Sequence, residues 1–146
     1  MAEITLRTDL AELATLASFV EQFADDVALP AAIAFQLNLV LDELVTNSIE
    51  YGHPGARRAG GSIQLRATRL DDTIEIDLID DGLAFDPRTL PAPALDAPLD
   101  QRPVGGLGMH LVRHYVDEFE YTHENGRNHI RLRKRLPASH ERSPQG

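Results

Sequence analysis

The sequence contains no cysteine and no tryptophan, and aromatic residues make up only 5% of its 146 residues. Without cysteine there are no disulfides, no zinc–thiolate sites and no cysteine nucleophile. The scarcity of aromatic rings argues against a stacking platform for single-stranded nucleic acid. No apolar run approaches the roughly 20 residues that cross a bilayer, and Met1 is not followed by the pattern of a signal peptide. These absences predict a cytoplasmic protein.

Basic residues are outnumbered by acidic ones. Lys and Arg together number 14 and Asp and Glu 23, so the formal net charge is −9. An acidic chain is a poor candidate for nonspecific binding to nucleic acid or to an anionic membrane, and we expect neither as a partner. The length suits one domain with one core. We expect a domain over residues 1–136 and a disordered, polar tail over 137–146.

Hydrophobic periodicity and turn residues predict an alternation of strands and helices. The predicted strands cover residues 3–7, 63–68, 74–78, 118–123 and 128–136, and the predicted helices run from Asp9 to about Ala24, from Pro30 to Gly52, and from Gly105 to Val116. Asp9 and Glu12 form a capping-box-like pattern, Asp71-Asp72 predicts a tight turn, and Asn125-Gly126 predicts a hairpin.

The segment L-D-E-L-V-T-N-S-I-E-Y-G-H, residues 41–53, carries the first chemical motif. Glu43 and Asn47 are four residues apart in a helical pattern, so their side chains lie on one face. Such a pair can hold a divalent cation and position a hydroxyl or a water molecule. A solvated polar stripe gives the same pattern, and His53 beyond it either approaches a ligand or caps the helix.

Two later segments carry further chemistry. Asp80 has the same strand parity as Ile74, Ile76 and Leu78, which directs its carboxylate toward the core, where it needs a donor. In Asp-Asp-Gly it can equally cap a turn.

Residues 87–104 hold five of the nine prolines, as expected of a functional lid or a disordered segment. The glycines from residue 105 to 108 then lead into a helix, where backbone N–H groups can bind phosphate.

The order of these three segments resembles the Bergerat ATP-binding fold of gyrase, heat-shock chaperones, histidine kinases and mismatch-repair proteins. Within it, the chain is most similar to the small anti-sigma-factor serine kinases of bacteria. The motifs that carry this resemblance are D-E-L-V-T-N-S-I-E-Y-G-H, D-D-G-L-A-F-D-P and G-G-L-G-M-H-L-V-R-H-Y-V-D-E-F-E-Y. The resemblance covers about residues 3–136. It implies an α+β fold, a two-layer sandwich with a mixed, mostly antiparallel sheet and helices on one face.

The resemblance also implies roles for individual residues. Asn47 would coordinate Mg²⁺, Glu43 would act as the general base or orient the attacking hydroxyl, and Asp80 would accept from the adenine amino group. The remaining implied cofactor contacts are Gly82 and Phe85 near the base, the N–H groups of Gly105, Gly106, Leu107, Gly108 and Met109 at the phosphates, and Arg102 in the lid. One departure from the superfamily is Ala84, at a position where glycine is frequent.

The implied activity is transfer of the γ-phosphoryl group of ATP to a serine or threonine of an anti-sigma-antagonist (STAS-type) domain. The same resemblance implies sequestration of a sigma factor and a homodimer formed through the first strand and first helix. Two alternatives stay open: a nucleotide-binding adaptor without kinase activity, and a detached histidine-kinase ATPase domain. The basic run Arg131–Arg135 is expected to be a solvated edge, or else a site for an acidic partner.

Overall fold

The computed structural model of the protein describes residues 1–55, 60–89 and 106–137, with the backbone alone for 106–108. The strands are β1 (Ala2–Arg7), β2 (Ser62–Leu70), β3 (Thr73–Asp80), β4 (Glu118–Glu124) and β5 (Arg127–Arg135), and the helices are α1 (Leu13–Asp26), α2 (Ala31–Asn47) and α3 (Gly106–Tyr115). Each predicted element is present, with ends that differ by a few residues. The predicted tail beyond residue 137 lies outside the described residues, so its disorder stays a prediction.

The five strands form one sheet in the order β1-β2-β3-β5-β4. All four neighbouring pairs are antiparallel, so within the described residues the sheet lacks the parallel pair that a mixed sheet contains. The α+β class is confirmed. Tight turns at Asp71-Asp72 and Asn125-Gly126 join two of these antiparallel pairs, β2 with β3 and β4 with β5. Asn125 and Gly126 have φ of 55° and 74°, the pair of positive values that a two-residue hairpin turn requires.

One face of the sheet carries the hydrophobic core, and the helices cover it. Alternate residues of β2, β3 and β5 point inward, and α1 and α3 both pack against α2. The buried side chains of the sheet include Ile63, Leu65, Ile74, Ile76, Leu78, Ile130 and Leu132, and those of α2 include Ile33, Leu37, Val40, Leu41, Leu44 and Val45. The buried arc that periodicity predicts for α2 is therefore confirmed.

The opposite face of the sheet is charged, and this corrects the interpretation of the basic run on β5. β5 lies between β3 and β4, so the run is not at an edge of the sheet. Arg131 donates to Asp77 at 2.8 Å and Arg133 to Glu75 at 2.8 Å, whereas Lys134 points inward and donates to a helix carbonyl. The basic residues of this run therefore lie on both faces of the sheet, because side chains alternate along a strand. Two of their charges are paired with carboxylates of β3.

Two helix ends differ in detail from the expectation. Asp9 caps the first helix, since its carboxylate accepts from Ala11 N at 2.9 Å, and a short 3₁₀ turn (Leu10–Glu12) precedes α1. Glu12, however, accepts from the backbone N of Arg7 rather than closing a capping box on Asp9. The predicted helix from Pro30 does reach Gly52, but the last part, after α2, is a π-helical turn (Ser48–Gly52), and Gly52 does not have the positive φ with which glycine often ends a helix.

Among the described residues, no helix combines the length and the apolar character needed to span a membrane.

Candidate functional site

A small cavity marks the place where the end of α2, the end of β3 and the segment after β3 meet. It is lined by Leu44, Asn47, Ser48, Gly52, Leu78, Asp80, Phe85, Pro87, Asn128 and Ile130. Its volume open to a water-sized sphere is about 10 Å³, which is the space of about one water molecule. Three of the predicted site residues, on three different segments, therefore line one cavity.

Glu43 and Asn47 contact each other directly. The amide nitrogen Nδ2 of Asn47 donates to Oε2 of Glu43 at 2.9 Å, as the four-residue spacing predicts. Asn47 is 2% exposed, and its carbonyl oxygen Oδ1 is buried without a hydrogen-bond partner in the described part of the chain. A buried acceptor without a donor costs about 1–3 kcal/mol, so this oxygen is chemically able to accept from a ligand or to contact a cation.

The free oxygen of Asn47 fits a magnesium ion held mainly by its nucleotide. Mg²⁺ prefers hard oxygen ligands, and it is commonly bound through one or two protein oxygens, substrate phosphates and water. Residues 1–55, 60–89 and 106–137 contain no cluster of three or more His, Cys, Asp or Glu that could form an all-protein cage. The donor that these residues offer to such an ion is therefore one amide oxygen, Asn47 Oδ1.

The carboxylate of Glu43 is tuned toward neutral pH. Its pKa is raised to about 7, because burial and, to a smaller extent, the neighbouring Asp42 charge raise it by more than the hydrogen bond from Asn47 lowers it. Burial also raises the pKa of Asp42. A carboxyl group with a pKa near the working pH is both present as the base and strong enough to take a proton.

Asp80 lies at the end of β3 with its side chain buried, which confirms the prediction from strand parity. Its Oδ1 accepts from the backbone N of Gly82 at 2.8 Å and from Nδ2 of Asn128 at 3.0 Å. The turn-capping interpretation is confirmed, and the carboxylate also lines the cavity, whereas its contact with a ligand stays a prediction. Its second oxygen, Oδ2, takes part in neither bond.

Gly82 is required by packing between the turn and the end of α2. The backbone N of Leu83 donates to Gly52 O at 2.7 Å, and a Cβ at position 82 would lie 2.5 Å from that same oxygen.

His53 lies beside this contact between the turn and the end of α2. It is buried, its Nδ1 is 3.1 Å from Ser48 O, and its Nε2 is 2.8 Å from Oδ1 of Asp81. Of the two interpretations of His53, the structural one at the helix end is confirmed.

The carboxyl of Asp81 is part of the same contact. Burial raises its pKa, but hydrogen bonds from His53 and from the backbone N of Ser62 outweigh burial, so the pKa lies below its usual value. Asp81 thus stays an acceptor that holds the helix end against the strand.

Phe85 lines the cavity, and three residues outside the predicted site hold it in place. Its ring stacks on Tyr51, with centroids 4.8 Å apart, and its backbone N donates to Tyr121 OH at 3.0 Å and to Oδ1 of Asn128 at 3.1 Å. A polar residue at an inward strand position, between apolar alternates such as Ile130, is a signal that could have identified Asn128.

The glycine-rich segment is described only from its helix onward. Arg102 and Gly105 lie outside the described residues. Gly106, Leu107, Gly108 and Met109 form the first turn of α3, whose N–H groups have no acceptor inside the helix. The side chain of Met109 is buried in the core, so only its backbone is available to a ligand.

Comparison with known proteins places this geometry in a family. The model of the histidine kinase-like ATPase domain matches residues 6–134. The chain belongs to this family. Among sequence relatives of this ATPase domain, the serine/threonine-protein kinase BtrW of Bordetella bronchiseptica is 31% identical over 133 residues, covering 86% of this chain and 92% of BtrW. The serine-protein kinase RsbW of Bacillus pumilus is 28% identical over 94 residues, covering 62% of this chain and 58% of RsbW.

Solved structures agree in fold. The RsbU and RsbW domains of Rv1364c from Mycobacterium tuberculosis match with a TM-score of 0.64 at 16% identity, covering 94% of this chain and 34% of that one. The blue-light activated histidine kinase EL346 of Erythrobacter litoralis matches with a TM-score of 0.54 at 19% identity, covering 86% and 41%. The predicted ATP-binding fold is confirmed, and the two sequence relatives confirm the prediction of a serine/threonine-protein kinase.

Proposed function

We propose that the protein is an ATP- and Mg²⁺-dependent kinase that phosphorylates a serine or threonine of an anti-sigma-antagonist (STAS-type) domain. The observation that carries this proposal is the pairing of Glu43 with Asn47. A carboxyl with a pKa of about 7 lies beside an amide whose oxygen is free, so a base and a cation ligand share one helical turn. A protein that only bound nucleotide would not need the base.

The two side chains divide the work of the reaction. When bound, the magnesium ion neutralises charge on the phosphates. Asn47 Oδ1 would hold it, and Asn47 Nδ2 orients the Glu43 carboxylate through Oε2. Glu43 would take the proton of the attacking hydroxyl while the oxygen of that hydroxyl bonds to the γ-phosphorus. The bond between the γ-phosphorus and the oxygen that bridges to the β-phosphate breaks at the same time, and ADP leaves. The enzyme's contribution is mainly positioning and charge neutralisation.

The rest of the site would hold the nucleotide. Asp80 would accept from the adenine amino group, Gly82 and Phe85 would lie near the base, and Arg102 would contact phosphate. The backbone N–H groups from Gly105 to Met109 would bind the phosphates with the help of the helix dipole. Because the cavity has space for about one water molecule, binding of a purine there would require the residues that line it to move apart.

The test is label transfer from γ-labelled ATP to a panel of purified STAS-type domains, with the wild-type chain and with Glu43→Gln. The proposal expects label on one domain that survives acid treatment, as a phosphoserine or phosphothreonine does, and that disappears with Glu43→Gln. Nucleotide binding without transfer would identify an adaptor instead. Acid-labile label would identify a phosphohistidine and a histidine-kinase activity.

We further propose that the protein sequesters a sigma factor in the cytoplasm and forms a homodimer through β1 and α1. The position of β1 supports the dimer, because among the described strands β1 is an edge strand that pairs with β2 alone and leaves one backbone edge available. Light scattering at high protein concentration tests this assembly, and a monomer would refute it. Co-elution with candidate sigma factors tests sequestration separately.

A further inference from the structure

The imidazole ring of His53 is buried between two glycines. Its side chain is 3% exposed. A Cβ at position 61 would lie 2.6 Å from Cδ2 of the ring, and a Cβ at position 82 would lie 2.7 Å from its Cε1. Neither glycine has a positive φ, so the requirement for glycine is one of space, and the ring occupies part of that space. Packing therefore holds the ring in place.

Both ring nitrogens of His53 face groups that accept hydrogen bonds. Nδ1 is 3.1 Å from Ser48 O, and Nε2 is 2.8 Å from Oδ1 of Asp81. A backbone carbonyl and an ionised carboxylate have no hydrogen to donate. A neutral imidazole has a single N–H, so it would leave one bare nitrogen against an oxygen. The imidazolium ion, which has two N–H groups, satisfies both neighbours.

The second proton does not belong to Asp81. Burial raises the pKa of this carboxyl, but hydrogen bonds from His53 and from the backbone N of Ser62 outweigh burial, so the pKa lies below its usual value. The Asp81 side chain is also 47% exposed, and water stabilises its ionised form. At neutral pH the carboxylate is therefore ionised, and the proton that the geometry requires lies on the ring.

The segments packed around the ring bring one carboxylate, that of Asp81, into contact with it in the described part of the chain. Thr8 after β1 and Gly61 before β2 lie beside the ring and are neutral. The Asp80 carboxylate in the same turn accepts from the backbone N of Gly82 instead. The remaining titratable groups of the adjoining helix end are Glu50 and Tyr51.

The two partners of the ring belong to two walls of the candidate site. Ser48 directly follows Asn47 at the end of α2, and Asp81 directly follows Asp80 at the end of β3. Asn47, Ser48 and Asp80 line the cavity, whereas His53 is outside its lining. The two N–H bonds of the ring thus fix the position of one wall relative to the other.

We infer that His53 is an imidazolium ion and a positioning residue, whose two N–H bonds join the helix end that carries Asn47 to the turn that follows Asp80. This inference rests on the proposed nucleotide site. When the ring loses a proton, one nitrogen is left bare against an oxygen, and the two walls lose one of their connections. Nucleotide affinity is therefore coupled to protonation of a side chain outside the cavity, and by reciprocity the bound nucleotide favours the protonated ring.

The charge on the ring is tested in the wild-type chain by ¹⁵N-resolved NMR. The chain contains six histidines, and comparison with His53→Gln assigns the signals of His53. At about pH 7 we expect an N–H signal from each of its ring nitrogens, because burial slows exchange with water. A ring with one protonated nitrogen would overturn the inference. Addition of ATP should keep both protons on the ring to higher pH.

The effect on nucleotide binding is measured by calorimetry with ATP and Mg²⁺ from about pH 6 to 9. Every chain in this comparison carries Glu43→Gln, so ionisation of the proposed base does not contribute, and ionisation of ATP is common to all. The affinity of this parent chain should fall about fivefold or more as the pH rises, since a hydrogen bond from a charged group is lost. His53→Gln should bind ATP at every pH about as weakly as the parent does at alkaline pH.

Asp81→Asn gives a readout that a purely structural role would not change. Its amide can donate to the bare Nε2 of a neutral ring while Nδ1–H donates to Ser48 O, which a carboxylate does not allow. The ATP affinity of this variant should therefore vary by less than about twofold over the same pH range. The matched controls are His114→Gln and Asp72→Asn, at exposed positions of α3 and of the β2–β3 turn, which should keep the pH dependence of the parent.

Thermal melting checks that each variant folds. If His53→Gln does not fold, the histidine signal that Asp81→Asn displaces identifies the ring, and Asp81→Asn supplies the binding test. A parent affinity that does not fall as the pH rises, or an equal fall in Asp81→Asn, would overturn the inference. A parent chain without affinity for adenine nucleotides would instead overturn the proposed site, and the NMR spectrum of the free chain would still decide the charge of His53.

Discussion

The amide of Asn47 donates to the carboxylate of Glu43 at 2.9 Å while its own buried oxygen has no partner in the described chain. One short contact therefore orients the carboxylate and leaves the opposite end of the amide unpartnered, as the proposed base and the proposed cation ligand would require. The arrangement is costly to the free protein, since a carboxyl and an acceptor are both partly desolvated. Such unfavourable burial is a common property of functional sites.

Replacing Glu43 by Gln should reduce phosphoryl transfer by about 10²- to 10⁴-fold, the usual contribution of a general base. ATP affinity should stay within about threefold, because Gln keeps the size of the side chain and can still bond to Asn47. Single-turnover transfer and calorimetry measure the two quantities. Glu120→Gln, at an exposed position of β4, is the matched control. A variant that transfers at the wild-type rate would exclude Glu43 as the base.

The same variant should be more stable than wild type at alkaline pH. Because the pKa of Glu43 in the folded protein is about 7 against its usual 4.5, the stabilising contribution of its protonated form is complete below pH 4.5 and is lost as the pH rises through 7. At pH 8 Glu43→Gln should therefore gain about 1 kcal/mol, after discounting for the solvent screening of a half-exposed group. Urea unfolding at pH 5 and pH 8 measures this, and an equal difference at both would contradict it.

The pH dependence of transfer should follow the ionisation of Glu43. In the free enzyme the rate constant kcat/KM should rise with pH up to about 7, the pKa of this carboxyl, and then level off. A magnesium ion nearby favours the ionised form, so kcat at saturating Mg-ATP should show the rise at lower pH. Asn47→Asp, which adds a second carboxyl beside Glu43, should displace the rise to higher pH. A profile that is flat from pH 5 to 8 would be inconsistent with this role.

Removing the free oxygen of Asn47 should affect the metal-dependent part of binding alone. For Asn47→Ala we expect Mg-ATP affinity to fall by roughly tenfold or more, since one ligand of the ion is lost. Affinity for ATP measured in EDTA should change less than threefold. Calorimetric titrations with and without Mg²⁺ separate the two. If both affinities fell equally, Asn47 would contact the nucleotide or the fold rather than the ion.

Two glycines close to each other should respond differently to alanine. A Cβ at position 82 would lie 2.5 Å from Gly52 O, whereas a Cβ at position 52 would meet nothing closer than 3.7 Å. The clash at position 82 is with a backbone oxygen, which cannot rotate away as a side chain can. Gly82→Ala should therefore lower the free energy of unfolding by about 2–3 kcal/mol. Gly52→Ala should change it by less than about 1 kcal/mol. Denaturant melts of both variants test the difference, and equal losses would show that the turn can move away.

Local patterns were sufficient for a large part of the fold. The strands, the three helices, the hairpin at Asn125-Gly126 and the inward direction of Asp80 follow from periods of 2 and 3.6 residues and from turn chemistry. These are properties of short segments. The contact between Glu43 and Asn47 belongs to the same class, because residues four apart in a helix are neighbours whatever surrounds them.

Other features depended on residues that are distant in sequence. Asn128 contacts Asp80 across 48 positions, and His53 contacts Asp81 across 28. Neither pairing is visible until β5 is known to lie beside β3. For the same reason the basic run on β5 was wrongly interpreted as an edge, since strand order is a property of the whole sheet.

The sequence by itself determined the chemical groups of the site and the elements that carry them, because helix and strand periodicity act over a few residues. Only the tertiary structure decided which donor satisfies Asp80, why Gly82 must be glycine, and how burial raises the pKa of Glu43 to about 7. Desolvation and hydrogen bonding between strands arise when distant segments pack together, and no local pattern contains them.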